Sequence, residues 1–329
     1  MRAVVLEEHG GPEVLQIKDI DDPVAGPEEV IVDIVSTAVN RAEILQRMGM
    51  YPQPGPRSRY EIPGLEFAGV VAARGERVTA WNLGDEVMGI AAGGGDAERI
   101  AVHERQLAPV PSVVGVRDAG AIPEVWFTAY DALVSQGGLA PGSVALVHAG
   151  GSGVGTAAIQ ICKAIGAAVI VTASAGKLAP CLALGADRAV DYATEDFVEV
   201  ARAHTGGRGV DVVLDVIGGD YLNRDLAALA LKGRIVQVGT MDAANATLNL
   251  GALMVKRASV IGTVLRPRPL DEKIAVTQRF TREALPWFER GVCRPVIDRR
   301  FPLDEIAEAH KVLEANANVG KVVIDVKPV

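Results

Sequence analysis

The sequence predicts an α/β protein in which a doubly wound parallel sheet is inserted into a second, β-rich domain. The chain has 329 residues, more than the size at which a single hydrophobic core keeps growing, so two domains are expected. Hydrophobic residues make up 49% of the chain but aromatic residues only 4%, which is typical of central strands covered on both faces. The pattern of elements changes twice, near Ser143 and after Asp271.

The first part of the chain, to about residue 120, has the pattern of short strands separated by turns. Glycine and proline interrupt it repeatedly, as in Gly10-Gly11-Pro12. We expect a β-rich, partly closed barrel here. The predicted strands are Ala3–Leu6, Val30–Val35, Gly69–Ala73, Glu86–Ile90 and Glu98–Val102.

From Ser143 onward, apolar strands alternate with helical segments. Such alternation predicts a parallel sheet with helices on both faces. The predicted elements are, in order, Val144–Val147, Gly153–Ile165, Ala168–Ala173, Lys177–Leu184, Arg188–Val190, Asp196–His204, Val210–Val216, Tyr221–Leu231, Arg234–Val238 and Ser259–Val264.

After Asp271 the sequence predicts helix, strand, helix and strand. We interpret the last two strands as completing the first domain, so that residues 124–267 form a nucleotide-binding domain inserted between 1–123 and 268–329. The predicted elements are Ile274–Arg290, Val296–Phe301, Leu303–Ala315 and Lys321–Val326.

The net charge of −8 and a pI near 5.3 leave no broad basic surface. We therefore expect neither nucleic acid nor an anionic membrane as a partner, and local geometry must hold any anionic ligand. The N-terminal apolar run is too short for a signal peptide, and no run reaches the roughly 18 apolar residues of a membrane span. The three cysteines, Cys162, Cys181 and Cys293, form no close pair, which favours a reduced, cytoplasmic location.

A glycine-rich run, His148–Gly155, lies between the apolar strand Val144–Val147 and the next helix. Small residues there let the backbone approach a pyrophosphate closely, and the amides that open the helix supply the anion site. The alternative is a tight strand-to-helix connection that binds nothing. The predicted cofactor-binding residues of the turn are Gly150, Gly151, Ser152, Gly153, Val154 and Gly155.

The segment after the second strand of this unit, Val171–Lys177, predicts the choice of cofactor. Folds that select NAD place an acidic residue at the end of that strand, and none is present here. Ser174 can donate a hydrogen bond to a 2′-phosphate, Lys177 can neutralise it, and Tyr192 can add a hydroxyl group. We therefore expect NADPH; alternatively, Lys177 is an ordinary lysine of a helix's first turn.

Together with the glycine-rich turn, several short motifs resemble one family. It is the zinc-independent quinone oxidoreductase branch of the medium-chain dehydrogenase/reductase superfamily, and within it the tumour-suppressor-induced enzymes and their bacterial relatives. The resemblance extends over nearly the whole chain. The motifs are Gly10–Glu13, Asn40–Glu43, Gln46–Tyr51, Gly64-Leu65-Glu66, Ile122-Pro123-Glu124, His148–Ala158, Ile217-Gly218-Gly219 and Glu308–Asn316.

The resemblance implies a Rossmann domain inserted into a GroES-like β-barrel catalytic domain, and it accounts for missing metal ligands. Zinc-containing relatives carry a cysteine near position 40, Gly-His-Glu near 64 to 66, and a four-cysteine lobe. This chain has Asn40, Gly64-Leu65-Glu66 and no cysteine before Cys162, so we expect no metal. Glu66 is then either catalytic or a structural hydrogen-bonding carboxylate.

The implied reaction is hydride transfer from NADPH to a strongly electrophilic acceptor such as a quinone. The resemblance implies that Asn40 is an amide donor near the nicotinamide, and that the Tyr51 hydroxyl orients or protonates the reduced oxygen. Alternatively, Tyr51 is a loop residue packed among Pro52, Pro54 and Pro56.

Further cofactor contacts are expected from segments at the carboxyl ends of strands and from one helix. Thr128 either lies near the nicotinamide half of the cofactor or caps its helix. Arg266 either lines the nicotinamide pocket or belongs to a solvated loop with Arg268. The other predicted contacts are Ile217, Gly239, Thr240, Val264 and Leu265.

Two other functions compete with quinone reduction. An enone or enoyl reductase would use the same fold and cofactor but would protonate a carbon after hydride addition. The other is a non-enzyme, an NADPH-binding structural or RNA-binding relative; the acidic charge disfavours RNA binding. A homo-oligomer, dimer or tetramer, is expected, in which the strand Ser259–Val264 pairs across a twofold axis.

Overall fold

The computed structural model describes residues 1–55 and 59–327. The chain divides into two compact units. The terminal unit comprises Met1–Phe127 together with the chain from Leu265 onward, and the central unit comprises Thr128–Val264. Within the described residues, no helix is both long and apolar enough to cross a membrane.

The strands of the two units are numbered here in chain order. They are β1 Arg2–Val5, β2 Gln16–Asp19, β3 Glu29–Val39, β4 Glu66–Arg74, β5 Glu86–Ile90, β6 Arg99–His103, β7 Leu107–Pro109, β8 Val144–Val147, β9 Ala168–Ala173, β10 Arg188–Asp191, β11 Val210–Asp215, β12 Leu229–Gln237, β13 Ser259–Gly262, β14 Ile297–Pro302 and β15 Lys321–Asp325.

The α-helices follow the same numbering, and short 3₁₀ turns connect several elements. A π-helical segment, Asp131–Gln136, continues α3. The helices are α1 Arg41–Arg47, α2 Val116–Ala119, α3 Pro123–Tyr130, α4 Gly153–Ile165, α5 Leu178–Ala183, α6 Phe197–His204, α7 Tyr221–Ala228, α8 Leu250–Lys256, α9 Leu270–Glu283, α10 Leu285–Glu289 and α11 Ile306–Glu314.

The terminal unit is built on a seven-stranded sheet in the order β14-β15-β3-β4-β5-β7, with β6 also paired to β3. β14 and β15 are parallel, and the other pairs are antiparallel. In β3, Val30, Val32 and Ile34 alternate into the core, where they meet Ile306 of α11. The pairing of β15 with β3 joins the end of the chain to its beginning, as the sequence predicts.

The central unit is a six-stranded parallel sheet in the order β10-β9-β8-β11-β12-β13. This is the strand order of a doubly wound dinucleotide-binding fold, whose direction of winding reverses between β8 and β11. The centres of β8, β9 and β11 are fully buried, at Leu146, Ile170 and Val213. Ligands of such sheets bind outside the carboxyl ends of the strands at this reversal point.

Several elements differ from the sequence predictions for local reasons. The predicted helix Ile274–Arg290 is divided into α9 and α10, because Pro286 has no N–H to donate within a continuous helix and its ring clashes with the carbonyl group four residues earlier. β2 was not predicted, since its residues are mostly exposed and show no apolar alternation. α1 was also not predicted; it begins directly after β3 at Asn40.

Candidate active site

The glycine-rich turn joins β8 to α4 in the central unit. Ala149 has a φ of 55°, a left-handed conformation that is uncommon outside glycine. Gly153 and Val154 are the first residues of α4, and the Ser152 hydroxyl oxygen accepts a hydrogen bond from the backbone N–H of Gly155 at 3.0 Å. The turn thus presents a helix N-terminus at the carboxyl end of a parallel strand, an arrangement that suits a phosphate group.

Two glycines of the turn leave no space for a side chain. A Cβ atom at Gly155 would lie 2.4 Å from the carbonyl oxygen of Ala149. At Gly150 it would lie 2.7 Å from the Cβ atom of Val171 in β9. The backbone of the turn is therefore packed closely against itself and against the sheet, and only glycine permits this approach.

The predicted residues for the 2′-phosphate lie beside this turn. Ser174 follows β9 and Tyr192 follows β10, and these two strands are paired up to their last residues. The side chain of Lys177 covers Gly151, where an added Cβ atom would lie 2.7 Å from the lysine Cδ. Lys177 immediately precedes α5, and Tyr192 is 52% exposed. A cation and two hydroxyl groups thus lie at one end of the sheet, next to the glycine-rich turn.

Hydrogen bonds hold the segments that follow β11 and β12 in place. The backbone N–H of Ile217 donates to Asp215 Oδ1 at 2.6 Å. Gln237 Nε2 donates to the carbonyl oxygen of Gly239 at 2.7 Å, and the next residue, Thr240, is exposed. These predicted cofactor residues lie at the carboxyl ends of neighbouring parallel strands, where such sheets bind ligands.

The structure places the remaining predicted cofactor residues in two units. Thr128 is mostly buried in α3, and the cap interpretation is wrong because this helix begins five residues earlier at Pro123. Val264 follows β13 and is 48% exposed in the central unit. Leu265 and Arg266 belong to the terminal unit, in which both are buried.

A buried pair of hydrogen-bonded side chains in the central unit anchors the residue before the turn. His148 Nε2 lies 2.7 Å from Asp225 Oδ1, and Nδ1 lies 2.9 Å from the hydroxyl of Thr172. The histidine ring is fully buried, with Phe197 and Tyr221 packed edge to face at 4.8 Å. Because a carboxylate only accepts, Nε2 carries a hydrogen. The pair fixes the end of β8 to α7 and β9.

In the terminal unit, Asn40 is at the centre of a buried polar network. Its Oδ1 accepts a hydrogen bond from Lys321 Nζ at 2.6 Å, and its Nδ2 donates to Glu43, Glu66 and a backbone carbonyl at 2.9 to 3.1 Å. Lys321 also lies 2.8 Å from Glu66 Oε1 and is 3% exposed. Both amide hydrogens of Asn40 are thus directed at protein acceptors. Of the two interpretations of Glu66, the structural hydrogen-bonding carboxylate fits these contacts.

Glu43 of this network and two neighbouring carboxyl groups, Asp96 and Glu124, have raised pKa values. Burial raises the pKa of Glu43 to about 7, although hydrogen bonds from Asn40 oppose the shift. Burial, and next the charge of Glu43, raise the pKa of Asp96 well above its usual value. Burial, and next the charge of Glu66, raise the pKa of Glu124 to about 8. The cluster therefore retains protons near neutral pH.

Tyr51 lies in the loop after α1 and its ring faces Arg266, whose guanidinium carbon is 5.0 Å from the ring centre. Arg266 donates hydrogen bonds to the carbonyl oxygens of Tyr51 and Ala92 and to Gln46 Oε1. Arg266 is only 5% exposed, so the interpretation as a solvated loop is wrong. Of the three prolines expected around Tyr51, Pro56 lies outside the described residues.

Comparison with known proteins supports the family that the sequence motifs resemble. The model of the alcohol dehydrogenase GroES-like domain family matches residues 26–135, and that of the zinc-binding dehydrogenase family matches residues 184–324. Human quinone oxidoreductase is 30% identical over 328 residues, 98% of this chain and 97% of that protein. The chain belongs to the quinone oxidoreductase branch of the medium-chain dehydrogenase/reductase superfamily.

Solved structures of the superfamily resemble this oxidoreductase over its full length. Escherichia coli quinone oxidoreductase complexed with NADPH has a TM-score of 0.88 at 29% identity, covering 99% of this chain and 100% of that one. An NAD-dependent alcohol dehydrogenase has a TM-score of 0.87 at 34% identity, covering 99% of this chain and 100% of that one. The JamJ enoyl reductase in its apo form has a TM-score of 0.88 at 26% identity, covering 98% of each chain. The predicted family and fold class are confirmed.

One matching family model describes zinc-binding dehydrogenases, but the residues of this quinone oxidoreductase relative do not fit a zinc ion. Leu65 offers no ligand atom, and Asn40 Oδ1 and Glu66 Oε1 both contact the ammonium group of Lys321. The ammonium group thus already engages both oxygens. Within residues 1–55 and 59–327, no group of three or more His, Cys, Asp and Glu side chains is arranged to hold a metal ion.

Sequence reasoning missed most of the buried polar groups of this oxidoreductase. Lys321 lies in a segment that the sequence pattern identifies only as a strand, and Glu43 lies in α1, which was not predicted. Charged residues of both kinds are mostly exposed in proteins. Glu124 appeared only as part of the Ile122-Pro123-Glu124 motif, and Asp225 had no local signal. The Pro-Glu start of a helix was the one available hint for Glu124.

Proposed function

We propose that this oxidoreductase is a zinc-free, NADPH-dependent quinone reductase. The observation that carries the proposal is the position of Lys177, whose side chain covers Gly151 of the phosphate-binding turn. NAD-selective folds need an acidic residue in this neighbourhood instead. The close approach of the backbone at Gly150 and Gly155 fits a pyrophosphate at the N-terminus of α4. Bound NADPH supplies a hydride, that is, two electrons and one proton.

The preference for NADPH follows from charge. A 2′-phosphate carries a dianionic charge, which the Lys177 ammonium offsets in part while Ser174 and Tyr192 donate hydrogen bonds. The resemblance to an NADPH-bound quinone oxidoreductase supports this choice, and the resemblance to an NAD-dependent dehydrogenase makes it worth testing directly. We expect the loss of Lys177 to weaken NADPH binding selectively.

A quinone is the proposed substrate because it accepts a hydride without a Lewis acid. The ammonium group of Lys321 is engaged by Asn40 and Glu66, so neither side chain is free to polarise a carbonyl through a metal. We propose that Tyr51, half-buried and held against Arg266, orients the quinone oxygen by a hydrogen bond. Asn40 acts on the site by holding Glu43 and Glu66 in place.

A binding and turnover experiment tests this function. Fluorescence titrations measure the Kd of NADPH and NADH for the wild type, for Lys177→Met, and for Lys163→Met, a surface control paired with Asp187. We expect Lys177→Met to weaken NADPH binding roughly 10- to 100-fold with little change for NADH, since hydrogen bonds to charged groups contribute about 1.5–3 kcal/mol. Tighter NADH than NADPH binding by the wild type, or no turnover with any ortho- or para-quinone, would overturn the proposal.

An enone or enoyl reductase is the alternative function, supported by the likeness to an enoyl reductase structure. Such an enzyme must protonate a carbon atom after the hydride has been added, whereas a quinone needs only oxygen protonation. Steady-state assays with crotonyl and 2-alkenal substrates separate the two. NADPH oxidation with these substrates at rates similar to those with quinones would favour the alternative.

We propose that two copies associate through β13, the edge strand of the central sheet. Its residues are largely exposed, Val260 among them, and the apolar side chains Met254 and Val255 of the preceding helix α8 are exposed as well. An unprotected parallel edge of this kind pairs readily with a second copy. Sedimentation equilibrium is expected to show a dimer for the wild type and a monomer for Val260→Lys; a monomeric wild type contradicts the proposal.

A further inference from the structure

Glu124 differs from the other carboxyl groups of the buried network. Glu43, Glu66 and Asp96 are completely buried, whereas Glu124 is partly accessible. Its backbone N–H donates a hydrogen bond, but among the described residues its carboxyl oxygens have no hydrogen-bond partner. An acid that is accessible and uncommitted can exchange its proton with a bound molecule, whereas the other three cannot.

We propose that Glu124 is the proton donor of the proposed reductase, delivering its carboxyl proton to the oxygen of the reduced substrate. This inference rests on the proposed function and adds a catalytic residue to it. Tyr51 then orients the substrate, and its hydroxyl group keeps its own proton.

The backbone holds Glu124 rigidly. It is the second residue of α3, where Pro123 begins the helix without needing a hydrogen bond from its own nitrogen. Its N–H donates to Glu66 Oε2 at 2.9 Å, and Glu66 is itself held by Lys321 and Asn40. The side chain therefore starts from a fixed position, which general acid catalysis requires.

The electrostatic surroundings keep the proton on Glu124 at neutral pH. Burial, and next the neighbouring charge of Glu66, raise the pKa of Glu124 to about 8, while Lys321 and Arg266 lower it. General acids work best when their pKa lies near the working pH. The carboxyl group of Glu124 therefore carries a proton at the neutral pH at which NADPH is oxidised.

Tyr51 is the competing donor, and the same charges disfavour it. Burial raises the pKa of the Tyr51 hydroxyl above its usual 10, and the nearby Glu124 raises it further. Glu124 is therefore the stronger acid of the two. Arg266 opposes both shifts, and its charge stabilises the carboxylate that remains after Glu124 has lost its proton.

The proton and electron balance is complete. Reduction adds a hydride to the quinone and produces a hydroquinone oxyanion. The O–H bond of the Glu124 carboxyl breaks, an O–H bond forms on that oxyanion, and a carboxylate is left. Because Glu124 is partly accessible, water then returns a proton to it, so one turnover consumes one NADPH and one solvent proton.

The test compares Glu124→Gln, which keeps the size of the side chain but has no acidic proton, with Glu124→Asp, which retains a carboxyl group. Glu308→Gln is the matched control, because Glu308 is an exposed helical carboxylate paired with Lys311. The readouts are the Kd of NADPH, the pH profile of kcat with para-benzoquinone, and the infrared band of the protonated carboxyl group in the protein without cofactor.

We expect Glu124→Gln to bind NADPH with unchanged Kd, to lose about 100-fold in kcat at neutral pH, and to lose the decline of kcat that the wild type shows above about pH 8. Glu124→Asp should recover part of kcat, and formic acid should restore turnover to Glu124→Ala in proportion to its concentration. The infrared difference spectrum between the wild type and Glu124→Gln should contain the band of the Glu124 carboxyl group, whereas the bands of Glu43 and Asp96, which are present in both proteins, should cancel.

An unchanged kcat and pH profile in Glu124→Gln, with an active wild type, overturns this inference and leaves the proposed function intact. A wild type that reduces no quinone defeats the proposed function instead. In that case the infrared titration still decides whether Glu124 holds a proton near neutral pH, and a carboxyl group that is ionised at pH 7 overturns the inference.

Discussion

The ammonium group of Lys321 lies 2.6 Å from the side-chain oxygen of Asn40, although 281 residues separate them in the chain. Lys321 also contacts Glu66 Oε1 at 2.8 Å and the carbonyl oxygen of Val39 at 3.1 Å. All three of its hydrogens therefore have acceptors, and the contact fixes which end of the Asn40 amide faces the carboxylates. Lys321 is the positive charge that balances this buried acidic network.

Replacing Lys321 by methionine tests that balance. The variant leaves Glu66 and Glu43 buried without a counter-charge, and breaking a buried pair from one side typically costs about 3–5 kcal/mol. We expect the free energy of unfolding, measured with urea at about pH 8, to fall by that amount. The loss should be smaller at about pH 5, because the carboxyl groups can then bind protons.

Lys311→Met is the control for Lys321→Met. Lys311 pairs with Glu308 on the exposed face of α11, so its removal should change stability by less than about 1 kcal/mol. Equal stability losses in the two lysine variants would show that Lys321 does not balance a buried charge.

Glu43 gives the protein a pH-dependent stability. Its pKa rises from 4.5 to about 7 on folding, chiefly through burial. A raised carboxyl pKa contributes stability that is fully present below the unfolded value and is lost as the pH rises through the folded value. We expect the wild type to lose stability between about pH 4.5 and pH 7 relative to Glu43→Gln, as measured by urea unfolding at each pH.

His310 produces the opposite slope and must be separated from Glu43. Burial, and next the charge of Arg47, lower the pKa of His310 to about 3, so its contribution is present above pH 6.5 and is lost as the pH falls toward 3. The difference between wild type and Glu43→Gln removes this common term. A difference that stays constant from about pH 4.5 to pH 7 would contradict the assigned shift of Glu43.

Gly155 makes the phosphate-binding turn possible. A Cβ atom there would lie 2.4 Å and 2.5 Å from the backbone oxygens of Ala149 and Gly150, so Gly155→Ala must displace the turn. If this displacement costs about 1–3 kcal/mol of binding, the Kd of NADPH rises roughly 10- to 100-fold. Fluorescence titration measures the change.

The control for this substitution is Gly251→Ala in α8, where the nearest atom to the added Cβ is 3.4 Å away. Both variants place alanine in a helix, so both gain helix propensity. Gly251→Ala should leave the Kd of NADPH unchanged. Normal NADPH binding by Gly155→Ala would mean that the turn does not hold the cofactor.

Local signals in the sequence predicted the elements that carry the nucleotide-binding turn. Both Val144–Val147 and Gly153–Ile165 coincide with β8 and α4, because an uninterrupted apolar strand, a glycine run and an amphipathic helix are each visible within a few residues. The buried polar network around Asn40 was not predictable in this way. Asn40, Glu43 and Lys321 meet only because β15 pairs with β3, and no local pattern encodes that contact.

Buried acids are difficult to predict for a related reason. Glutamate and aspartate are almost never fully buried unless they are paired, so an isolated acid in a sequence is expected on the surface. Here Glu43, Asp96 and Asp225 are all completely buried. Their partners come from other elements: Thr37 of β3 donates to Asp96, and His148 contacts Asp225. Only the folded chain reveals these contacts.

The last prediction concerns His148 and Asp225, whose side chains are both completely buried. His148→Phe keeps an aromatic ring between Phe197 and Tyr221 but removes the partner of Asp225 Oδ1, and within the part of the chain that the structure describes Oδ2 already has no hydrogen-bond partner. The remaining buried carboxylate should lower the free energy of unfolding by about 3–5 kcal/mol at about pH 8.

A double-mutant cycle with Asp225→Leu identifies the cause of that loss. If the unpaired charge causes it, His148→Phe/Asp225→Leu is more stable than His148→Phe alone, because the double variant buries no charge. The loss in His148→Phe should also shrink at about pH 5, since the isolated carboxyl group binds a proton more readily than the paired one. Additive losses that are independent of pH would mean that His148 acts through packing alone. The end of β8 would then be held at the phosphate-binding turn by the aromatic contacts of His148 and not by its hydrogen bond to Asp225.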